Sequence, residues 1–167
     1  MSQKPEPAEI AKWDRWFAIE CNNRAWDLAE KETRTAEETS EMIDAAHSAS
    51  LHWGRVGTEL NKVRAAMLLG HVHALAGHGV QAMHYARISH AYFNDAANPN
   101  ACPDWELAFA HAILANAAHA FGDADLYAEM YASANRLGQV IADPQDRAIF
   151  QKTFFRIPAP APEVVTA

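Results

Sequence analysis

The chain has 167 residues, half of them apolar, with 21 acidic side chains against 14 basic and a formal net charge of -7. That length supports one domain with a substantial core, and the absence of any Lys/Arg cluster leaves nothing to grip a phosphate backbone, which argues against nucleic acid as a partner. Two cysteines, Cys21 and Cys102, are too few to staple a fold of this size, so a reducing cytoplasm is the expected compartment.

Helix signals follow one another along the chain. Residues 1–7 lack the continuous apolar core of a signal peptide. Pro7 stands where a helix begins, and Ile10, Trp13, Trp16 and Phe17 recur at helical spacing through a segment reaching about Glu32. Thr35 and Glu38 have the spacing of a capping box, in which the hydroxyl accepts the third helical amide and the carboxylate reaches back. A second helix runs from there to Trp53, with Met42, Ala46, Ala49 and Trp53 on one stripe and Gly54 and Gly57 ending it.

A third helix starts near Thr58 and stops at Gly77, a glycine able to take positive φ; a fourth runs from Val80 to about Phe93. Residues 94–102, with Asn98, Pro99 and Asn100, read as a loop. Pro103 and Asp104 open a fifth helix, Asp123 caps a sixth reaching about Ala142, and Asp143-Pro144-Gln145-Asp146 starts a seventh that ends near Phe155. The fifth and third helices are apolar nearly all round and belong side by side at the centre. The apolar stretch 107–121 is broken by His111, Asn116 and His119 and is too short to span a bilayer, so no membrane partner is expected. The expected architecture is all-α: about seven helices as stacked antiparallel hairpins in a single domain over 8–157, with flexible tails at 1–7 and 158–167.

The stretch from Ala66 to Ala86 recurs 46 residues later. Ala66/Ala112, Leu68/Leu114, His73/His119, Ala74/Ala120, Ala82/Ala128, Tyr85/Tyr131 and Ala86/Ala132 are identical, and each copy is broken by small residues (Gly77-His78-Gly79, then Gly122-Asp123). One helical hairpin used twice accounts for this pattern. It makes His73 and His119 equivalent, which favours a role in the repeat's packing or loop contacts for that pair.

Leu69-Gly70, Gly77 and Ala82 resemble the tetratricopeptide pattern, which has Leu-Gly in its first helix and a small residue early in its second. The likeness spans about 35 residues of the third and fourth helices and extends more loosely to the next hairpin; the period exceeds the family's 34, and Ala86 stands where a bulky residue is usual. Several stretches also resemble widespread, uncharacterised bacterial helical proteins. The resemblance implies a right-handed superhelix of antiparallel helix pairs with a concave side, and stacks of this kind bind peptides or partner proteins.

Nine histidines carry the alternative to a plain scaffold: His47, His52, His71, His73, His78, His84, His90, His111 and His119. His71 and His73, two apart on a helix, point to nearly opposite sides and cannot share a metal. Asp44 and His47 have a carboxylate-x-x-histidine spacing, but no second copy, His-Glu-x-x-His or paired Cys-x-x-Cys accompanies it, so neither a metal nor a cofactor is expected. If the second, third and fifth helices line one groove, His47, His71 and His111 converge there, with His52, Trp53, Asp104 and Trp105 nearby. His78, in a turn, is expected to face solvent. No nucleophile elbow or phosphate-cradling glycine loop occurs, and no catalytic residue is assigned. The acidic run Asp27, Glu30, Glu32, Glu37, Glu38, Glu41 and Asp44 reads as a solvated face around a helix corner rather than a docking patch. The sequence thus points to a non-enzymatic module for protein or peptide partners, with a homodimer through exposed aromatics of the first helix as one form. Its rival is a small-ligand or metal-binding protein, even an enzyme, built on the histidine groove.

Overall fold

Alanine-rich segments separated by capping residues become seven α-helices in the computed structural model, which describes residues 5–97 and 102–160. They are α1 (Pro7–Ala29), α2 (Ala36–Val56), α3 (Glu59–Leu75), α4 (Gly79–Phe93), α5 (Asp104–Phe121), α6 (Ala124–Gln139) and α7 (Pro144–Phe154). No strand forms among the described residues. Asn98, Pro99 and Asn100 of the expected loop, and residues 1–4 and 161–167 of the expected tails, lie outside them.

The caps fall where side-chain chemistry places them. Thr35 and Glu38 form the reciprocal capping box at α2, and Thr58 with Asn61 forms another at α3. Asp123 accepts from the Leu126 amide, and Asp143 accepts from the amides of Gln145 and Asp146.

Three expected ends move. α1 stops at Ala29 rather than near Glu32, because Arg34 Nη1 turns back to donate to the carbonyls of Leu28, Ala29 and Lys31. α2 runs through Gly54 to Val56 and is capped at Gly57. α6 ends at Gln139, short of Ala142, where Ile141 is buried and its carbonyl accepts from the Arg147 guanidinium. Beyond α7, Ile157 is buried and the Pro158 carbonyl accepts from the Tyr127 hydroxyl, so the chain is still anchored at the start of the expected C-terminal tail.

Every consecutive helix pair except α6–α7 packs closely along its length, and α1–α3, α3–α5 and α5–α7 also adjoin, whereas among the described residues the backbones of α2 and α4, and of α4 and α6, stay apart, with His47 and Tyr85 bridging the first pair through their rings. The odd-numbered helices therefore form one layer and the even-numbered helices the other. α3 and α5 adjoin at the centre and are buried along most of their lengths. One apolar cluster joins α3, α4, α5, α6 and α7; a second joins α1 and α2 to Leu68, Leu69 and Val72 of α3. Gly70 makes the α3–α4 contact possible: a Cβ there would lie 3.0 Å from the Ala86 backbone nitrogen. The same approach leaves no space for a bulky residue at Ala86.

The hairpin repeat is real in outline, but its sequence register is off by one at the turn. Gly77 (φ 75°) and Gly122 (φ 90°) end α3 and α5 in the same way. The His78 amide reaches back to the His73 carbonyl, and the Asp123 amide reaches back to that of Ala118. His73 is thus matched by Ala118, not by His119. His73 is buried and His119 exposed; Ala82 and Ala86 are buried whereas Ala128 and Ala132 are exposed. Helical spacing of alanine sustained the coincidence, since shifting such a segment by one residue still superimposes small apolar side chains.

Candidate functional site

On α2, His47 is exposed, and its Nε2 lies 3.0 Å from Nε2 of His73 on α3. His73 Nδ1 in turn lies 3.1 Å from Nδ1 of His78 in the α3–α4 turn, and the Tyr85 ring stacks on His73 at 5.8 Å with an interplanar angle of 9°. His78 is exposed, as expected of a turn residue. A neutral imidazole has one N–H and one lone pair, so His73 donates to one neighbour and accepts from the other, giving the row a direction. Burial, then the rings of His47 and His78, push the His73 pKa down to about 4. The two nitrogens of His73 face different partners and do not converge on one point. Among the described residues no three His, Cys, Asp or Glu side chains are grouped to hold a metal ion. Asp44, one turn before His47, borders a groove between α1 and α2 instead of joining the row.

The structure does not bring His47, His71 and His111 together. His71 lies in the core, 1% exposed, stacked on Trp26 of α1 (5.4 Å), with the Asn116 amide nitrogen of α5 at 3.5 Å from its Nδ1. Burial and then the Arg34 charge lower its pKa to about 4. His111 meets His90 of α4 edge to face at 4.6 Å, and burial, followed by His90 and Arg136, lowers its pKa to about 4. The buried atoms His90 Nε2 and His111 Nδ1 have no hydrogen-bond partner among the described residues. Helical geometry explains the dispersal: α3 aims His71 at α1 and α5 and aims His73, two positions on, at α2 and the α3–α4 turn.

Three other candidates hold the fold together. His52 Nδ1 lies 2.6 Å from Asp14 Oδ1, to which Arg55 Nη1 also donates at 3.0 Å, and Phe17 stacks on the His52 ring at 5.4 Å. The bond with His52, more than the Arg55 contacts, holds the Asp14 carboxyl below the usual carboxylate range. Half-buried Trp53 accepts the Gly57 amide at 2.7 Å on its carbonyl. Asp104 accepts from the Trp105 amide at 2.8 Å and from the Ala142 amide at 2.7 Å, tying the start of α5 to the α6–α7 corner.

Trp105 lines a cavity of about 270 Å³ in the odd-helix layer, together with Trp26, Met67 and Phe109. Arg64 crosses its rim 5.7 Å above the Trp105 ring, and its Nε donates at 2.5 Å to Glu106, whose side chain is 1% exposed. Sequence patterning alone singles out none of Trp26, Arg64 and Glu106. The available signal was a guanidinium and a carboxylate, each set in an otherwise apolar helix.

The outward side of α1 is different in kind. Ile10, Trp13, Trp16 and Phe17 are 38%, 50%, 49% and 41% exposed. Their rings touch one another, Trp13–Trp16 at 6.1 Å and Trp16–Phe17 at 4.9 Å. At 100° per residue Trp13 and Trp16 lie opposite Ala18, Ala25 and Ala29, which α1 buries. α1 ends the odd-helix layer, packing on α2 and α3 and reaching α5 through Trp26 against Phe109, and among the described residues no helix lies over Trp13 and Trp16.

Thiol chemistry finds no support. Burial, with Glu106 adding, pushes the Cys102 thiol up to about 11, and burial with Glu20 raises that of Cys21. No helix among the described residues is long and apolar enough to cross a membrane. Comparison with protein-family models, curated proteins and solved structures finds no significant match for this chain.

Proposed function

We propose that the chain is a non-enzymatic interaction module for a protein or peptide partner, acting through α1 at the open end of a stack of tetratricopeptide-like hairpins. The observation that carries this reading is the contiguous row Ile10, Trp13, Trp16 and Phe17 on that helix. The end helix of a hairpin stack ordinarily turns a polar face to water. Here four half-exposed apolar side chains offer roughly 400 Å² of surface, the size of the largest apolar patch on a typical monomer, which is often functional. The paired layers support the same reading, since a stack of this form presents extended faces without needing a catalytic centre. The test compares wild type with the Trp13→Ser/Trp16→Ser variant as bait in extract of the native host, with circular dichroism and melting confirming an unchanged fold. A discrete partner retained by wild type and lost by the variant is expected. An identical captured set from both proteins overturns the reading.

A second reading rests on the cavity bounded by Trp26, Met67, Trp105 and Phe109, whose size suits one small planar molecule with an acceptor group near Arg64. It replaces the histidine-lined groove as the small-ligand alternative. Indole and indole-3-acetate are suitable probes. Saturable binding in calorimetry with a concentration-dependent rise in Tm favours this reading, and no response at millimolar probe removes it.

A further inference from the structure

We propose that the groove between α1 and α2 receives a basic amphipathic helix of the partner protein, an inference that rests on the interaction-module reading above. The groove measures about 760 Å³, and its apolar end is formed by Trp16, Phe17 and Cys21. Its rim carries the carboxylates Glu20, Glu37, Glu41 and Asp44, all exposed, against the single cation Arg24. Arg24 is already engaged: its Nε and Nη2 reach the two oxygens of Glu41 at 2.7 and 2.9 Å. Glu20, Glu37 and Asp44 have no ion-pair partner among the described residues, so the rim keeps a net negative charge.

This geometry changes the meaning of the acidic run. Asp27, Glu30 and Glu32 belong to the end of α1 and the corner beyond it, and Glu30 pairs with Lys152. Glu37, Glu41 and Asp44 follow one another along α2 at helical spacing; because Arg24 meets Glu41 and Phe17 meets His52, they line the part of the groove beyond its aromatic end, where Glu20 stands beside Trp16 and Phe17. An aromatic end set in an acidic rim is the complement of a helix with aliphatic side chains at i, i+3, i+4 and i+7 and Lys or Arg on its flank. The walls, residues 16–24 of α1 and 37–48 of α2, run roughly 12 and 17 Å, enough for a partner helix of two to three turns. A second copy of this chain is the poorer occupant, because its own acidic rim would approach this one and like charges across an interface oppose association.

The experiment uses the full-length protein and three 18-residue helical peptides: one with leucine on one face and lysine on the other, a second with glutamate for every lysine, and a third with serine for every leucine. Calorimetry measures binding to wild type, to Trp16→Ala and to Glu20→Gln/Asp44→Asn, and sedimentation velocity follows self-association. Saturable one-to-one binding of the leucine–lysine peptide alone is expected, weakened about 30-fold by Trp16→Ala, as for an aromatic anchor. The two charge removals should weaken it about fivefold, as for two exposed ion pairs. Equal binding of the lysine and glutamate peptides, or indifference to either variant, overturns the proposal. A dimer that Trp16→Ala dissociates and that excludes the peptide also overturns it, by making the second copy the occupant. Either failure leaves the interaction-module reading to its own test, the loss of a captured partner from Trp13→Ser/Trp16→Ser.

Discussion

Glu106 on α5 is 1% exposed, and one of its oxygens accepts the Arg64 Nε proton of α3 at 2.5 Å, joining the two central helices beneath the Trp105 ring. Breaking such a pair from one side strands a charge, whereas removing both partners need not cost much. Arg64 is itself 40% exposed, so solvent moderates the effect. Arg64→Met is expected to destabilise by about 2 kcal/mol in urea unfolding, and Arg64→Met/Glu106→Leu by less than the single change.

The glycines separate by what surrounds them. A Cβ on Gly70 would meet the Ala86 backbone at 3.0 and 3.1 Å, whereas one on Gly54 meets nothing within 4 Å although Gly54 lies inside α2. Gly70→Ala should therefore cost about 1 to 2 kcal/mol, its overpacking outweighing the helical gain. Gly54→Ala should stabilise by about 0.5 to 1 kcal/mol. Paired thermal melts check both signs.

Acid should weaken the fold in a defined window. Burial lowers the pKa of His71 from 6.5 to about 4, so above pH 6.5 the ring is neutral folded or unfolded and has no effect. As pH falls from about 6.5 to about 4 the unfolded chain takes up a proton that the folded chain refuses, and stability is lost, amounting to about 2 kcal/mol from His71 alone at pH 4.5. His71→Phe retains a ring against Trp26 and should flatten the pH dependence of Tm between those limits.

The row of three imidazoles gives a spectroscopic prediction. His47 and His78 both lower the His73 pKa, after burial, to about 4. In His47→Ala one of these neighbours is gone, so the His73 titration followed by ¹⁵N chemical shifts should move upward. An unchanged midpoint would show that the 3.0 Å approach of His47 does not persist in solution.

Local chemistry was the legible part of this chain. Thr35, Asp123 and Asp143 cap helices because their side-chain oxygens sit beside free amides, a relation that spans only three residues. Gly77 was readable for the same reason. The histidines were not, because their partners come from other helices: His73 meets His47 from α2, and His71 meets Trp26 from α1. The 46-residue echo located two hairpins yet paired His73 with His119, since alanine-rich helices tolerate a one-residue slip that only the turn hydrogen bonds expose. Trp13, Trp16 and Phe17 read as amphipathic helix either way, and only the tertiary packing, with no helix over Trp13 and Trp16 among the described residues, identifies the outward face.

The central claim is that α1 docks a protein partner, and a photo-crosslinking amino acid placed at Trp16 tests it most directly, with exposed Ile88 on α4 as the control position. Irradiation in the native host should give one discrete heterologous adduct from position 16 and none from position 88. No adduct at 16, or the same adducts from both positions, would contradict it.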